Sequence, residues 1–159
     1  MSVTPATAAL DAAKIGYQLH NYDHDPANTN YGAEAARALG IDPEQMFKTL
    51  IIDIGQVRPE LAVAVVPVAG QLGLKQFAQA VGVKKAAMAN PTLAVRTTGY
   101  VLGGVSPLGQ KVALVTIIDE TALLWDTIFV SAGRRGLDLE IAPADLAQLT
   151  QASFADIAR

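Results

Sequence analysis

The sequence of 159 residues contains no cysteine and only two histidines. The missing thiols exclude disulfides, thiolate metal ligands and a cysteine nucleophile. His20 and His24 lie near Asp23 and Asp25, but in a strand and loop this spacing does not place ligands on one face, as it does on a helix. We therefore interpret this region as a polar surface loop and expect neither a metal nor a cofactor.

Charged residues and long apolar runs are also scarce. Charged residues make up 17% of the sequence, hydrophobic residues 51%, and the net charge is -3. This composition supports a large buried core, and its acidity leaves nucleic-acid contacts to local basic patches. The longest apolar runs are too short to cross a bilayer, and the N-terminus lacks the layout of a signal peptide. We expect one cytoplasmic domain over residues 1–159 without a membrane partner.

Capping residues and hydrophobic periodicity predict the regular elements. Helices are expected at residues 4–15, 31–39, 74–81, 90–96 and 143–149, with a short helix from Asp42, helical turns at 84–88 and 119–124, and weak helical periodicity over 151–159. Strands are expected at 17–22, 47–54, 61–68, 112–118, 127–131 and 137–141. Hairpin-like strand pairs with irregularly interspersed helices predict an α+β fold, with a mixed, mostly antiparallel sheet or partly open barrel and flanking helices.

The most unusual stretch covers residues 97–111 and reads TTGYVLGGVSPLGQK. Its four glycines favour a shaped loop with exposed backbone N–H groups, which can cradle an anionic or oxygen-rich group. It is not a phosphate-binding P-loop, because Gln110 separates Gly109 from Lys111 and a strand is expected next. Ser106 lacks the spacing of a nucleophile elbow. Composition alone supports a plain connector between strands equally well.

Lys48 stands at the start of an otherwise apolar predicted strand. A lysine there must reach solvent, form a pair or line a pocket, because a buried cation without compensation is costly. An exposed strand end with a snorkelling stem is the plain interpretation. The sequence pattern favours a pocket position and an exposed position for Lys48 equally.

A basic turn joins the last two predicted strands at residues 131–136. A solvated hairpin tip explains it simply, whereas phosphate contact is favoured by the forked donors of Arg134 and Arg135. Lys111, Arg96 and the lysines at 84–85 would extend such a surface.

Several stretches together resemble one known family. In chain order they read YDHDPANTNYGAEAARALGIDPEQMFKTL, VVPV, TGYVLGGVSPLGQK, IDET and FVSAGRRGLDLEIAPADL. They resemble the bacterial YbaK/EbsC-type aminoacyl-tRNA deacylases, with the Cys-tRNA(Pro) deacylase branch as the best match, over nearly the whole chain. The resemblance implies a free-standing editing domain that clears cysteine from proline tRNA through attack of the cysteinyl thiol on its own ester. Its implied partners are the aminoacyl-tRNA acceptor end and prolyl-tRNA synthetase.

The resemblance also assigns residues to the site. The family's essential lysine falls on Lys48, and its other pocket positions fall on Tyr22, Tyr31, Thr49, Gly103, Ser131, Gly133 and Asp138. We expect Lys48, Gly103 and Ser131 to be catalytic, the remaining positions with Gly104 and Ser106 to bind substrate, and Lys111, Arg134 and Arg135 to contact tRNA. Tyr31 stands where relatives often carry Phe, and Leu102 stands where they often carry Pro.

Two alternatives stay open. The same fold could hydrolyse alanyl-tRNA(Pro) with water as the nucleophile, or the chain could be a non-catalytic module that binds tRNA ends or a synthetase. Retention of Lys48, Ser131 and both glycine-rich turns argues against the binding module, since a pure binder does not need them.

Overall fold

Two β-sheets organise the computed structural model, which describes residues 3–159. The α-helices in that part of the chain are α1 Pro5–Ala13, α2 Tyr31–Leu39, α3 Leu74–Val81, α4 Pro91–Thr98 and α5 Pro143–Thr150, with a 3-10 helix at Glu120–Leu124. The strands are β1 Gln18–Asn21, β2 Phe47–Asp53, β3 Leu61–Pro67, β4 Ala87–Met88, β5 Val115–Asp119, β6 Ile128–Arg134, β7 Leu137–Ile141 and β8 Ser153–Ala155. None of the helices in residues 3–159 is long and apolar enough to cross a membrane.

The smaller sheet has the order β1-β7-β6 and is antiparallel throughout. The larger sheet has the order β4-β2-β3-β5-β8, in which β4, β2 and β3 are antiparallel and β5 and β8 add as parallel strands. A parallel bridge between Met46 and Phe129 joins the sheets, and the Phe129 N–H donates to the Gln45 carbonyl at 3.1 Å. The predicted mixed, mostly antiparallel α+β fold is confirmed, with its strands divided between two sheets.

Four local predictions are wrong. Residues 84–88 and 151–159, expected to be helical, contain β4 and β8, because pairing with β2 and β5 outweighs weak local periodicity. The segment after Asp42 is a turn rather than a helix. The Asp42 carbonyl accepts hydrogen bonds from the N–H groups of Gln45 and Met46. The strand expected from residue 112 begins only at Val115.

Strand β3 lies at the centre of the packing and is buried almost along its whole length. Because side chains alternate between the faces of a strand, Val63 and Val65 pack into one apolar cluster with both sheets and α1. Ala62, Ala64 and Val66 pack into a second cluster with Phe77 of α3. A third, smaller cluster forms where α2 covers Phe129 on the outer face of the smaller sheet.

A buried carboxylate ties the C-terminal segment to the end of β5. Asp119 is 1% exposed, and its Oδ1 accepts hydrogen bonds from the N–H groups of Ile157 and Ala158 at 3.0 and 2.9 Å. Its Oδ2 accepts from the N–H and the hydroxyl of Thr121. The four bonds compensate the desolvation of the carboxylate and hold the 3-10 helix beside the C-terminal segment.

Asp119→Ala should lower the free energy of unfolding by about 3 kcal/mol, because it leaves buried backbone N–H groups without an acceptor. Urea denaturation followed by circular dichroism measures this change. Asp119→Asn retains one acceptor oxygen and should lose less. A loss below about 1 kcal/mol for the alanine variant would contradict the structural role of this carboxylate.

Candidate active site

A cavity of about 350 Å³ lies where the two sheets meet. Four segments build it: the start of α2, the start of β2, the glycine-rich loop, and the neighbouring strands β6 and β7. The residues lining it are Thr29, Asn30, Tyr31, Gly32, Ala35, Met46, Phe47, Lys48, Thr49, Leu50, Leu102, Gly103, Val105, Ser131 and Asp138. The cavity thus brings together six of the residues predicted from the sequence, which lie far apart in the chain.

Lys48 is half-buried in the wall of this cavity. Its Nζ donates a hydrogen bond to the carbonyl of Gly70 at 3.0 Å, and none of the ion pairs among residues 3–159 involves it. Burial lowers the pKa of the Lys48 ammonium. A partly desolvated cation without a carboxylate partner favours an anionic or electron-rich oxygen of a bound ligand.

Asp138 provides the opposite charge in the same cavity. Along β7, Leu137 and Leu139 face the core, so that Asp138 lies on the other face, directly across from Ser131 of β6. Its side chain is buried, and this burial raises the pKa of the Asp138 carboxyl to about 7. Near neutral pH it is therefore poised to accept or to donate a proton.

Glu140, two residues further along β7, differs from Asp138 in its pairing. Glu140 accepts a hydrogen bond from the Thr127 hydroxyl at 2.6 Å and lies 3.0 Å from His20 Nε2. None of the hydrogen bonds or ion pairs resolved within residues 3–159 involves the Asp138 carboxyl. The carboxyl that faces the cavity is thus the one left for a ligand.

Thr49 contributes a buried hydroxyl to the cavity wall. Its Oγ1 has no hydrogen-bond partner among the described residues, and it is the one such buried side-chain atom within residues 3–159. A buried hydroxyl without a partner costs free energy. A polar group of a bound ligand would remove that cost.

Tyr31, Gly103 and Arg135 shape the mouth of the cavity. Gly103 has a φ of +82°, and a Cβ at this position would lie 2.6 Å from the Tyr31 ring, so only glycine fits. Arg135 Nε donates to the Leu102 carbonyl at 2.7 Å, and its Nη2 donates to the Tyr31 hydroxyl at 3.2 Å. The guanidinium also lies 4.9 Å from the centre of the Tyr31 ring. Arg135 therefore ties the glycine-rich loop to the start of α2.

Gly104 and Ser106, the two residues of the glycine-rich stretch that were expected to bind substrate, lie outside the cavity lining. Ser106 is completely buried, and its Oγ accepts a hydrogen bond from the Leu108 N–H at 3.2 Å. A Cβ on Gly104 would lie 2.7 Å from the Cα of Arg134. These residues shape the loop and let it approach the β6–β7 turn, and the structure places neither beside Lys48.

Three further predicted residues also lie behind or away from the cavity wall. Gly133, with a φ of +112°, forms the irregularity in β6 and donates its N–H to the Ser131 hydroxyl at 3.2 Å. Tyr22 packs against the cluster under α2, where burial raises the pKa of its phenol. Lys111 is exposed, and its N–H donates to the Thr98 carbonyl at 2.9 Å. Gly133 and Tyr22 thus contact residues of the cavity wall without lining the cavity themselves.

Sequence reasoning missed the residues at the start of α2. Thr29, Asn30 and Gly32 line the cavity, and a Cβ on Gly32 would lie 2.7 Å from a methyl group of Val68. Gly32 therefore permits close packing of α2 against the turn after β3. A glycine in the first turn of a predicted helix gives no signal that could have revealed this contact.

The two histidines lie outside the cavity lining and each contacts a glutamate. His24 Nδ1 lies 2.6 Å from Glu34, and His20 pairs with Glu140. Among residues 3–159 no group of three or more His, Asp or Glu side chains is placed to hold a metal ion. Neither histidine lines the cavity to which Ser131 and Thr49 contribute their side chains.

Comparisons with known proteins agree with this geometry. The family model described as the aminoacyl-tRNA editing domain matches residues 24–149. EbsC of Enterococcus faecalis, provisionally named a Cys-tRNA(Pro)/Cys-tRNA(Cys) deacylase, is 37% identical over 155 residues, covering 97% of this chain and 92% of its own. A crystal structure described provisionally as a trans-editing enzyme for prolyl tRNA synthetase has a TM-score of 0.83 at 26% identity, with 99% of both chains covered. The crystal structure of the hypothetical protein APE2540 has a TM-score of 0.85 at 26% identity, covering 98% of this chain and 100% of its own.

Asp138→Asn should make the free energy of unfolding less dependent on pH. Because the pKa of Asp138 is raised in the folded state, ionisation destabilises the wild type as pH rises through about 7. The stability of the variant relative to the wild type should therefore increase by about 2–3 kcal/mol between pH 5 and pH 8. Urea denaturation of both proteins at the two pH values measures this, and an unchanged difference would contradict the buried, unpaired carboxyl.

Proposed function

Because this chain belongs to the aminoacyl-tRNA editing domain family and is an aminoacyl-tRNA deacylase, we propose that it clears cysteine wrongly attached to proline tRNA. The observation that carries the proposal is a cavity with a desolvated lysine and an unpaired carboxyl but no activated protein nucleophile. The name of its relative EbsC supports cysteine as the amino acid. In this proposal residues 1–159 form a single editing domain that acts in the cytoplasm.

The nucleophile in this proposal comes from the substrate. The chain has no cysteine, and the cavity-lining hydroxyls of Ser131 and Thr49 have no histidine beside them to act as a base. The cysteinyl thiol is already tethered to the ester, and such proximity can supply several kcal/mol of the barrier. Its sulfur forms a bond to the ester carbonyl carbon, the bond to the ribose oxygen breaks, and a cyclic thiolactone leaves the free tRNA.

The protein then moves protons and stabilises charge. Asp138, with a pKa of about 7, accepts the thiol proton, and a proton is returned to the departing ribose oxygen. The Lys48 ammonium binds the developing oxyanion or the terminal phosphate. Gly103 lines the cavity, and its N–H is a second donor for the oxyanion. Gly133 is less suited because its N–H already donates to the Ser131 hydroxyl.

Substrate selection has two further contributors in this proposal. Tyr31 and Ser131 line the cavity beside the ester, and Arg134 and Arg135 lie at the turn next to its mouth, where arginine suits phosphate contact. Prolyl-tRNA synthetase is the proposed protein partner, supported by the similar structure described as its trans-editing enzyme. A small acidic domain offers few tRNA contacts of its own.

Deacylation of Cys-tRNA(Pro), Ala-tRNA(Pro) and Ser-tRNA(Pro) tests the substrate and the nucleophile together. Only the cysteinyl ester should be cleaved rapidly, and alkylation of its thiol should stop the reaction. Comparable loss of alanine or serine would mean that water or a protein group attacks, as in the alanine-editing alternative. No loss from any substrate would instead favour a binding module.

Lys48→Ala should reduce deacylation roughly 100- to 1,000-fold, because it removes a preorganised donor for the developing negative charge. Lys48→Met keeps the length of the side chain and should lose as much. The exposed Lys75 of α3 provides a matched control, and Lys75→Ala should retain wild-type rates. Activity of Lys48→Met near that of the wild type would exclude a role for the charge.

A further inference from the structure

A second and larger cavity, of about 500 Å³, lies beyond the turn that follows β3. The 3-10 helix contributes Leu124, and Trp125 follows it directly. The turn contributes Gly70, and Glu44 and Arg159 contribute charges of opposite sign. Its lining shares no residue with the proposed active site. The deacylation chemistry described above leaves it without a role.

The turn at residues 67–70 contacts both cavities. The carbonyl of Gly70, which lines the second cavity, accepts the hydrogen bond from Lys48 Nζ in the first. In the same turn Val68 packs against Gly32, which lines the first cavity. The second cavity is therefore adjacent to the first on the Lys48 side.

We propose that the second cavity binds the cytidine that precedes the terminal adenosine of the tRNA acceptor end. This inference rests on the proposed function, since it takes an aminoacyl-tRNA as the ligand whose terminal adenosine and ester occupy the first cavity. A cavity of this size suits one nucleotide. The occupant follows from continuity with Lys48 and from three features of the lining.

The partly exposed indole of Trp125 offers a flat face on which a base stacks. The Glu44 carboxylate is an acceptor for the exocyclic amino group of cytosine, which uracil lacks. Arg159 carries N–H donors suited to a phosphate. Of its guanidinium nitrogens, only Nη1 donates in the hydrogen bonds resolved within residues 3–159, to Asp156 at 2.8 Å and to the Ala158 carbonyl at 2.5 Å.

Hydrogen bonds fix the backbone segments that carry Trp125 and Arg159. The N–H of Arg159 donates to the Gln71 carbonyl at 2.7 Å, and the N–H of Gln71 donates to the Arg159 carbonyl at 2.8 Å. Asp119 anchors both the 3-10 helix, through Thr121, and the C-terminal segment, through Ala158. The stacking face and the cation therefore sit on a fixed frame, which reduces the entropic cost of binding.

Tryptophan fluorescence reports binding in the second cavity directly, because Trp125 is the single tryptophan of the chain. The probe is an acceptor-stem hairpin RNA that ends in CCA and carries no amino acid. A fluorescent label at its other end lets anisotropy report binding independently. Binding should quench Trp125. A hairpin ending in CUA should bind more weakly, and Glu44→Gln should reduce the difference between the two RNAs.

Steady-state deacylation gives a second test. Trp125→Ala should raise KM about tenfold with little change in kcat, in line with the loss of one stacked base, and Trp125→Phe should restore most of the affinity. Leu123→Ala is the matched control, since Leu123 is exposed in the 3-10 helix just before Trp125 but does not line the cavity. Arg159→Ala should weaken binding of both hairpins equally.

Several results would overturn the inference. These are a bound hairpin that leaves Trp125 fluorescence unchanged, no discrimination between CCA and CUA, or a wild-type KM for Trp125→Ala. Quenching by prolyl-tRNA synthetase but not by RNA would assign this face to a protein partner instead. Each of these results can occur while the wild type still deacylates Cys-tRNA(Pro), so the failure of this site is distinguishable from failure of the proposed function.

Discussion

The hydrogen bond between Lys48 Nζ and the Gly70 carbonyl connects the main parts of the site. It fixes the cation at the start of β2 against the turn that follows β3, and this turn separates the two cavities. A carbonyl holds an ammonium without neutralising it, so the positive charge stays available to a substrate oxygen. A carboxylate in the same place would stabilise the lysine better but would quench its field.

Desolvation gives the cavity its chemistry. The pKa of Lys48 is lowered and that of Asp138 is raised, both because the charged forms lose water. Lys48 and Asp138 share one cavity, but neither takes part in an ion pair among the described residues. Desolvation of these two groups and the unpartnered Thr49 hydroxyl both cost folding free energy. A bound ligand with its own polar groups would remove that cost.

The glycine-rich stretch illustrates the limits of sequence reasoning. From composition alone a shaped loop and a plain connector were equally favoured. In the structure Gly103 lines the cavity, whereas Gly104 and Ser106 serve packing and loop geometry. Which glycine faces a ligand depends on partners such as the Tyr31 ring, far away in the chain. Likewise β4 and β8 are short edge strands whose conformation comes from the neighbours they pair with rather than from their own periodicity.

The sequence by itself determined the class of fold, most element positions and the family, because capping residues, apolar periodicity and long motifs are local properties of the chain. It also excluded a cysteine nucleophile, and through resemblance it predicted Lys48 and Asp138 as pocket residues. Only the tertiary structure decided which residues share the cavity, that Asp138 is unpaired while Glu140 is not, and that a second cavity lies beside Lys48. Burial, desolvation and pairing depend on neighbours distant in the chain, and folding alone brings those neighbours together.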